Sequence, residues 1–319
     1  MRIGPPYSVN RRGFLWAGLT GALAASVAPA ENSKVVIARD PSLRGPDSAR
    51  VLKLLDRALQ SFYAADSPIN AWKQLVKPGE TVGLKVNCLC GKGAATSTVL
   101  VDAVCERLQQ AGIPPKNIVI WDRLNSDLES AGYRPSTRAD RIRYIGNDAA
   151  GYEHDLSVYG SVGSLLSNTL TRTCDAVINL PVLKDHGIAG VTLALKNLFG
   201  AIHNPNKYHT NVGDPYVADV NMLPPIRRKV RLTICDALTA QYEGGPSYMP
   251  QWSWAYNGLI VARDPVALDY TGWQILERKR AEKGMKPLRD LKREPAYIAT
   301  AAARGLGTND PKRIDVVEA

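Results

Sequence analysis

Residues 81–122 read TVGLKVNCLCGKGAATSTVLVDAVCERLQQAGIPPKNIVIWD, and the spacing of apolar side chains changes twice within them. Residues 81–87 are mostly apolar and predict a buried strand. Residues 97–111 carry apolar side chains at helical spacing, and residues 117–122 predict the next strand. A strand, a helix and a second strand in this order imply two parallel strands joined by a right-handed crossover.

The alternation between strand and helix patterns continues along the chain. It predicts helices and further strands, with the helices at 48–63, 191–199, 265–280 and 294–303 and the strands at 34–38, 141–145, 175–180, 229–236, 259–262 and 313–317. This order is typical of an α/β fold with a mostly parallel sheet and helices on both faces. We therefore expect a single α/β domain over residues 31–319. A subdivision near residue 150 stays open, because no linker composition marks it.

The N-terminus has the pattern of an export signal. Residues 10–15 read NRRGFL, a mildly apolar run follows at 16–27, and residues 28–30 read APA. The paired arginines favour the twin-arginine route, so we expect residues 1–30 to be a signal peptide that is removed after Ala30. The export machinery would then be a partner, and the mature protein would be periplasmic or otherwise extracytoplasmic.

Retention of this segment as an N-terminal tether is the alternative to cleavage. The apolar run is short and rich in glycine and alanine, which suits a processed signal better than a helix that crosses about 30 Å of hydrocarbon. No later segment approaches the ~20 apolar residues that a second span would need. We therefore expect no stable transmembrane span.

The basic composition favours anionic partners such as polyanions, membrane headgroups or acidic metabolites. The chain carries a formal net charge of +10, but its lysines and arginines are scattered rather than gathered into one patch. Scattered charge is typical of a solvated surface, and extracytoplasmic placement also argues against a nucleic-acid partner. The five cysteines form no CxxC pair, so the chain has no iron–sulfur motif. Their disulfide state stays open.

The first candidate site residues follow the strand predicted at 81–87. Lys85 and Asn87 are two residues apart, so they point to the same side of that strand. The glycines at 91 and 93 precede a helix N-terminus, where backbone N–H groups can face an anion. We interpret Lys85 and Asn87 as substrate-binding residues. The alternative is a capped helix after a flexible turn.

A stronger candidate lies at residues 179–200, which read NLPVLKDHGIAGVTLALKNLFG. A strand leads into Lys184 and His186, and glycines and a predicted helix follow. Lys184, His186 and Lys196 are predicted to be catalytic groups that converge on one anion, and Asn197 is predicted to bind substrate. The alternatives are that Lys196 extends to solvent from a half-buried helix and that His186 is an ordinary hydrogen-bonded loop histidine.

A divalent metal is a further hypothesis, and the identity of any cofactor stays open. His186, His203 and His209 account for three of the four histidines and fall within a short stretch. Asp236 and Glu243 follow another predicted strand. These five residues are predicted metal ligands, although their spacing fits no zinc signature. Chance clustering of solvated histidines is the alternative.

The candidate residues resemble the motifs of a family named domain of unknown function 362. Its central motif is similar to residues 179–186 and to LKNLFG at 195–200, and its first motif is similar to Lys85-Val86-Asn87. Its C-terminal motif is similar to Asp236 with EGGP at 243–246 and DPVALD at 264–269. The resemblance covers roughly residues 80 to 275. It implies an α/β domain with a lysine, histidine and carboxylate site. Many members are linked to a ferredoxin-type cysteine cluster, which this chain lacks.

Together these features predict an exported enzyme that acts on a small anionic substrate. His186 would be the general base or a metal ligand, and both proton abstraction next to a carboxylate and metal-assisted hydrolysis stay open. Whether the protein is an enzyme at all is left open. One alternative is a non-catalytic periplasmic protein that binds an anion or a metal or assists another enzyme. The other is a thiol redox protein that uses Cys88 and Cys90.

Overall fold

A ten-stranded mixed sheet is the centre of the computed structural model, which describes residues 32–319. A separate two-stranded sheet accompanies it. The strands in chain order are β1 (Ser33–Arg39), β2 (Val82–Lys85), β3 (Ile118–Asp122), β4 (Arg143–Gly146), β5 (Ser157–Tyr159), β6 (Val162–Ser164), β7 (Ala176–Asn179), β8 (Val182–His186), β9 (Gly190–Thr192), β10 (Val230–Gln241), β11 (Ser253–Ala262) and β12 (Ile314–Glu318).

Most neighbouring strands of the large sheet are parallel. Its main order is β12-β1-β11-β10-β7-β2-β3-β4, with β8 paired to β10 and β9 paired to β8. Strand β11 runs antiparallel to both β1 and β10, and β9 runs antiparallel to β8. The other pairs are parallel, from β10 through β7, β2 and β3 to β4. The predicted mostly parallel sheet is therefore confirmed.

Helices cover both faces of the sheet, as predicted. Successive strand side chains point to opposite faces, and in β1 this places Val36 in one core and Val35 in the other. The first core lies under α1 to α3, and the second under the helices that follow β9. The helices are α1 (Ser48–Tyr63), α2 (Pro68–Leu75), α3 (Thr98–Gln110), α4 (Asn125–Ser130), α5 (Asn147–Ala150), α6 (Ala194–Asn197), α7 (Tyr216–Met222), α8 (Pro224–Lys229), α9 (Pro265–Glu282) and α10 (Tyr297–Ala303).

One predicted helix is wrong. Residues 191–199 were expected to be helical, but β9 ends at Thr192 and α6 is a single turn followed by a 3-10 turn at Leu198–Ala201. Strand β8, which carries Lys184 and His186, was not predicted. It forms because β10 continues beyond 236, and its Asp236 and Gln241 pair with Val182 and Lys184. Such pairing between distant segments leaves little trace in local sequence periodicity.

A carboxylate from a distant helix caps α6. Asp269 of α9 is fully buried and accepts hydrogen bonds from the backbone N–H groups of Ala194 at 2.7 Å and Leu195 at 3.2 Å. These N–H groups belong to the first turn of α6 and have no partner within that helix. The cap fixes α6, and therefore Lys196 and Asn197, against the sheet.

The predicted signal peptide lies outside the described residues. Residues 32–319 group into one compact unit. Within them, no helix combines the length and the apolar character needed to cross a bilayer.

Removing the Asp269 carboxylate tests its role as a cap. In Asp269→Ala two buried N–H groups lose their acceptor, and we expect the free energy of unfolding to fall by about 2–4 kcal/mol in urea titrations. The control is Asp47→Ala, which removes the exposed cap of α1, an acceptor for the Arg50 N–H. We expect that change to cost about 1 kcal/mol or less. Equal losses in the two variants would contradict a special role for Asp269.

Candidate functional site

The site lies where three parallel strands end side by side. Lys85 is the last residue of β2 and stands in register with Asn179 of β7 on one side and Trp121 of β3 on the other. Asp122 is the last residue of β3. Ligands of open α/β sheets bind beyond the carboxyl ends of the strands, so these residues mark the rim at which a site is expected.

A cavity of about 250 Å³ opens at this rim. Its walls include seven of the ten residues that the sequence singled out, namely Lys85, Asn87, Lys184, His186, Lys196, Asn197 and His209. Residues that were not among those ten also contribute, including Cys90, Asp122, Arg123, Asp127 and Thr192. The cavity joins segments that are more than a hundred residues apart in the chain.

Lys85 is neutralised within the protein. Its Nζ lies 2.7 Å from Asp122 Oδ1 and 2.7 Å from the carbonyl oxygen of Val86, to which it donates a hydrogen bond. The other carboxylate oxygen of Asp122 accepts from the Cys88 N–H at 2.7 Å. Gly200 packs against this pair, and a Cβ there would lie 2.7 Å from Lys85 Nζ. The Lys85–Asp122 pair and Gly200 together form one part of the cavity wall.

A chain of amide groups holds Lys184 in place. Its Nζ donates to Asn87 Oδ1 at 2.8 Å, Asn87 Nδ2 donates to Asn197 Oδ1 at 3.0 Å, and Asn197 Nδ2 donates to Asn179 Oδ1 at 2.8 Å. The last member of this series, Asn179, donates a hydrogen bond from Nδ2 to the carbonyl oxygen of Ala194. Asn87 and Asn197 were predicted to bind substrate. Their amides belong to the chain that orients Lys184, and both residues line the cavity, so their role in substrate binding stays a prediction.

Lys196 is the most perturbed cation of the site. Lys196 is only 7% exposed. Its Nζ lies 2.9 Å from His209 Nε2 and 4.2 Å from the centre of the Phe199 ring. Burial, followed by repulsion from Lys184 and Arg123, lowers the pKa of Lys196 to about 7. The amine is therefore about half neutral near neutral pH.

The two histidines of the cavity hold different tautomers. The backbone N–H groups of Ile188 and Ala189 donate to His186 Nδ1, so its proton resides on Nε2. His209 Nδ1 instead faces the carbonyls of Pro205 and Asn206, so it carries the proton and leaves Nε2 to accept from Lys196. Burial, then the neighbouring Lys196, lowers the pKa of His186 to about 2. Both rings are therefore neutral at physiological pH.

The charge of the cavity is not balanced. Lys85 pairs with Asp122, and Arg123 Nη2 lies 3.5 Å from Asp127. Lys184 and Lys196, in contrast, have no carboxylate partner among residues 32–319 within salt-bridge distance. Burial lowers the pKa of Lys184 as well. The cavity therefore contains two buried amines without counter-ions, and such a charge is costly to bury without a partner.

Three predicted metal ligands lie elsewhere. His203 is exposed and packs edge-on against Tyr152 with a ring separation of 4.9 Å. The carboxylate of Asp236 accepts from the N–H groups of Ser97 and Leu238, so it serves as a buried cap. Glu243 pairs with Arg280 and with Arg293. None of these three residues lines the cavity that contains His186 and His209, and each contacts a local partner.

The donor set of the cavity does not suit a divalent cation. Residues 32–319 contain no group of three or more His, Cys, Asp or Glu side chains that could hold a metal ion. His186 Nδ1 and His209 Nε2 are both engaged in hydrogen bonds. The two unpaired lysines beside them would also repel a cation. The structure thus offers no support for the predicted metal centre.

The thiols offer no support for redox chemistry either. All five cysteines are free thiols, and Cys88 is buried. Burial, then the nearby Asp122 carboxylate, raises the pKa of Cys88 well above its usual value. A redox-active or nucleophilic cysteine requires a lowered pKa. Cys90 borders the cavity near Lys184 and is partly exposed.

Sequence reasoning missed several polar residues of the wall, including Asp122, Arg123, Asp127 and Thr192. Asp122 and Arg123 directly follow the apolar run that predicted β3, and that position alone could have flagged them. Asp127 on α4 and Thr192 on β9 had no such signal. The Thr192 hydroxyl is buried, and Oγ1 has no hydrogen-bond partner within residues 32–319. Thr192 is one of the residues that line the cavity.

Fold and site together define an α/β protein with a lysine-rich cavity at the carboxyl ends of its strands. The family described as Domain of unknown function (DUF362) matches residues 82–274. The chain belongs to this family, which confirms the resemblance stated above. All of the cavity residues named above fall within the matched range.

Two further proteins are similar to this chain. A thylakoid-associated protein of Synechocystis sp. is 29% identical over 263 residues, which cover 79% of this chain and 75% of that protein. A crystal structure of a Thermotoga maritima protein aligns with a TM-score of 0.43 and 10% identity. That alignment covers 76% of this chain and 61% of the Thermotoga chain, so the chain spans less than two thirds of that protein.

The protonation of Lys196 is directly measurable. We expect its amine to titrate with a midpoint of about 7, because burial and two neighbouring cations disfavour the charged form. NMR of the protein labelled at lysine Cε would follow the transition, and Lys196→Met would assign the signal by its loss. A midpoint near the ordinary lysine value of about 10.4 would contradict this picture of the cavity.

Proposed function

We propose that the protein is an enzyme that binds a small organic anion in the rim cavity and moves a proton on it. The observation that carries the proposal is the burial of Lys184 and Lys196 in one cavity without a carboxylate partner among residues 32–319. An isolated buried charge is costly, and an anion placed between two of them offsets that cost. A carboxylate and a phosphate both satisfy this requirement.

The arrangement supports a division of roles between the two lysines. Lys184 is fixed by Asn87 and by the carbonyl of Ala94 at 2.6 Å, so its ammonium is pre-oriented to bind the anion. Lys196, with a pKa of about 7, exists as both amine and ammonium near neutral pH. A group with its pKa near the working pH serves best as a general acid or base. We therefore give Lys196 the proton-transfer role.

The histidines contribute as neutral groups. His186 Nε2–H is a hydrogen-bond donor whose tautomer is fixed by two backbone N–H groups. With its pKa lowered to about 2, His186 is a poor general base, and we move that role from His186 to Lys196. Of the two reactions that the sequence left open, proton abstraction next to a carboxylate suits this inventory better than metal-assisted hydrolysis.

Anion binding and its pH dependence test the proposal. We expect malonate or inorganic phosphate to bind the wild-type protein in isothermal titration calorimetry, and Lys184→Gln to weaken binding by about 10–100-fold, because one charge-assisted hydrogen bond is lost. Affinity should fall as the pH rises through about 7, because Lys196 loses its charge there. The matched control is Lys207→Gln, which changes an exposed lysine outside the cavity.

Two results would count against the proposal. Binding that is unaffected by Lys184→Gln, or that weakens equally in Lys207→Gln, would place the anion elsewhere. Binding without turnover of any compound in a broad screen of small carboxylic acids would favour the non-catalytic binding alternative.

We also propose that the protein is exported by the twin-arginine route and works outside the cytoplasm. The support is the sequence NRRGFL at residues 10–15 with the apolar run after it. In a bacterial host with this route, we expect Arg11→Lys combined with Arg12→Lys to reduce the exported fraction at least about tenfold, because the paired arginines are the recognised feature. Arg2→Lys is the control. Unchanged export of the double variant in cell fractionation would contradict the proposal.

A further inference from the structure

We propose that Lys196 forms an imine with a short-chain 2-oxo acid whose carboxylate is held by Lys184. This inference rests on the proposed function, since it names the substrate class and a covalent step at the same cavity. It gives the buried amine a bond-forming role in addition to its role in proton transfer.

The position of the Lys196 amine is the first support. Nucleophilic lysines are neutral amines placed in desolvated surroundings close to another cation. Lys196 is buried against the Phe199 ring at the wall of the cavity, and Lys184 shares that cavity. Among residues 32–319 its Nζ has one hydrogen-bond partner, His209, which leaves the amine free to face a ligand.

A proton carrier adjoins the amine. His209 Nε2 lies 2.9 Å from Lys196 Nζ and is the acceptor nitrogen of its ring, because Nδ1 faces two backbone carbonyls. When the amine attacks, the N–C bond forms and the carbonyl electron pair moves to oxygen. His209 Nε2 accepts the first proton from nitrogen and delivers it to that oxygen, which gives a carbinolamine. His209 then accepts the second proton from nitrogen and delivers it to the hydroxyl, which leaves as water when the C–O bond breaks. One amine and one carbonyl thus give one imine and one water.

The rest of the cavity favours an acid over a simple aldehyde. The Lys184 ammonium has no carboxylate partner in the described part of the chain. Thr192 stands opposite Lys184 in the β8–β9 pair and lines the same cavity. A positively charged amine in the wall of a cavity suits a carboxylate.

The volume restricts the length of the acid. A cavity of about 250 Å³ lies below the usual range for drug-sized ligands. The carboxylate and the carbonyl must therefore be close together in a compact molecule. A 2-oxo acid of roughly three to five carbons meets both conditions.

Borohydride trapping tests the inference. The full-length protein is incubated with pyruvate, 2-oxobutanoate or 2-oxoglutarate and then reduced with sodium borohydride. We expect an intact mass gain of one oxo acid plus two hydrogens less one water, which peptide mapping places on Lys196. Lactate, which lacks the carbonyl, should give no adduct and should reduce the yield with pyruvate by competition.

Two variants sharpen the test. Lys196→Arg keeps the positive charge but has no amine that can form an imine, so the adduct should be lost. Lys207→Arg changes an exposed lysine near the cavity, so the adduct should persist. Because mapping of the wild-type adduct needs no variant, the result stands even if Lys196→Arg folds poorly.

Each remaining outcome overturns the inference. Calorimetric binding of the same acids without a trapped adduct would refute the imine and leave the proposed function intact. An adduct spread over exposed lysines, or placed on Lys184, would refute the role of Lys196. Neither binding nor an adduct with any of the three acids would overturn the inference and would also count against the proposed function.

Discussion

The burial of two lysine amines without counter-ions is the constraint on which the site depends. Lys184 is 1% exposed and Lys196 is 7% exposed, and neither has a carboxylate within salt-bridge distance in residues 32–319. Removing a charge from water costs several kcal/mol per ion unless a partner offsets it. The surrounding groups reduce that cost by hydrogen bonds to Lys184 and by a lowered pKa at Lys196. The proposal that the cavity binds an anion rests on the part of this cost that they leave uncompensated.

The fold holds both amines at the carboxyl ends of the parallel strands. Parallel strands β2, β7 and β3 end together, and the asparagines at their ends orient Lys184. Lys196 arrives on a single helical turn, which is too short to be stable alone. It is held by the Asp269 carboxylate of α9, which lies 75 and 74 residues beyond Ala194 and Leu195, whose N–H groups donate to it.

Much of this could be predicted from the sequence. Periodicity gave the helix at 48–63 with the bounds that the structure has, and the strand-end rule led to Lys85, Asn87, Lys184, His186 and Lys196. The predictions for Asp236 and Glu243 failed to join them, because a carboxylate at a strand end serves equally well as a cap or an arginine partner. That choice depends on which distant group lies nearby. Strand β8 was missed for the same reason, since it forms only by pairing with β10.

The protonation states follow from contacts that no sequence pattern reveals. His186 looked like a general base, yet two backbone N–H groups occupy its Nδ1 and burial keeps it neutral. Lys196 was predicted to be a catalytic group, but no sequence pattern shows that burial lowers its pKa to about 7. In both cases burial sets the behaviour of the group, and burial at this rim results from segments far apart in the chain.

A crystal structure determined from crystals soaked in bromide tests the central claim most directly. Bromide scatters anomalously and reports where the protein accepts an anion. The account predicts an anomalous peak inside the cavity, within contact distance of both Lys184 Nζ and Lys196 Nζ. A cavity without bromide, or one in which a carboxylate of the protein pairs with either lysine, would contradict it.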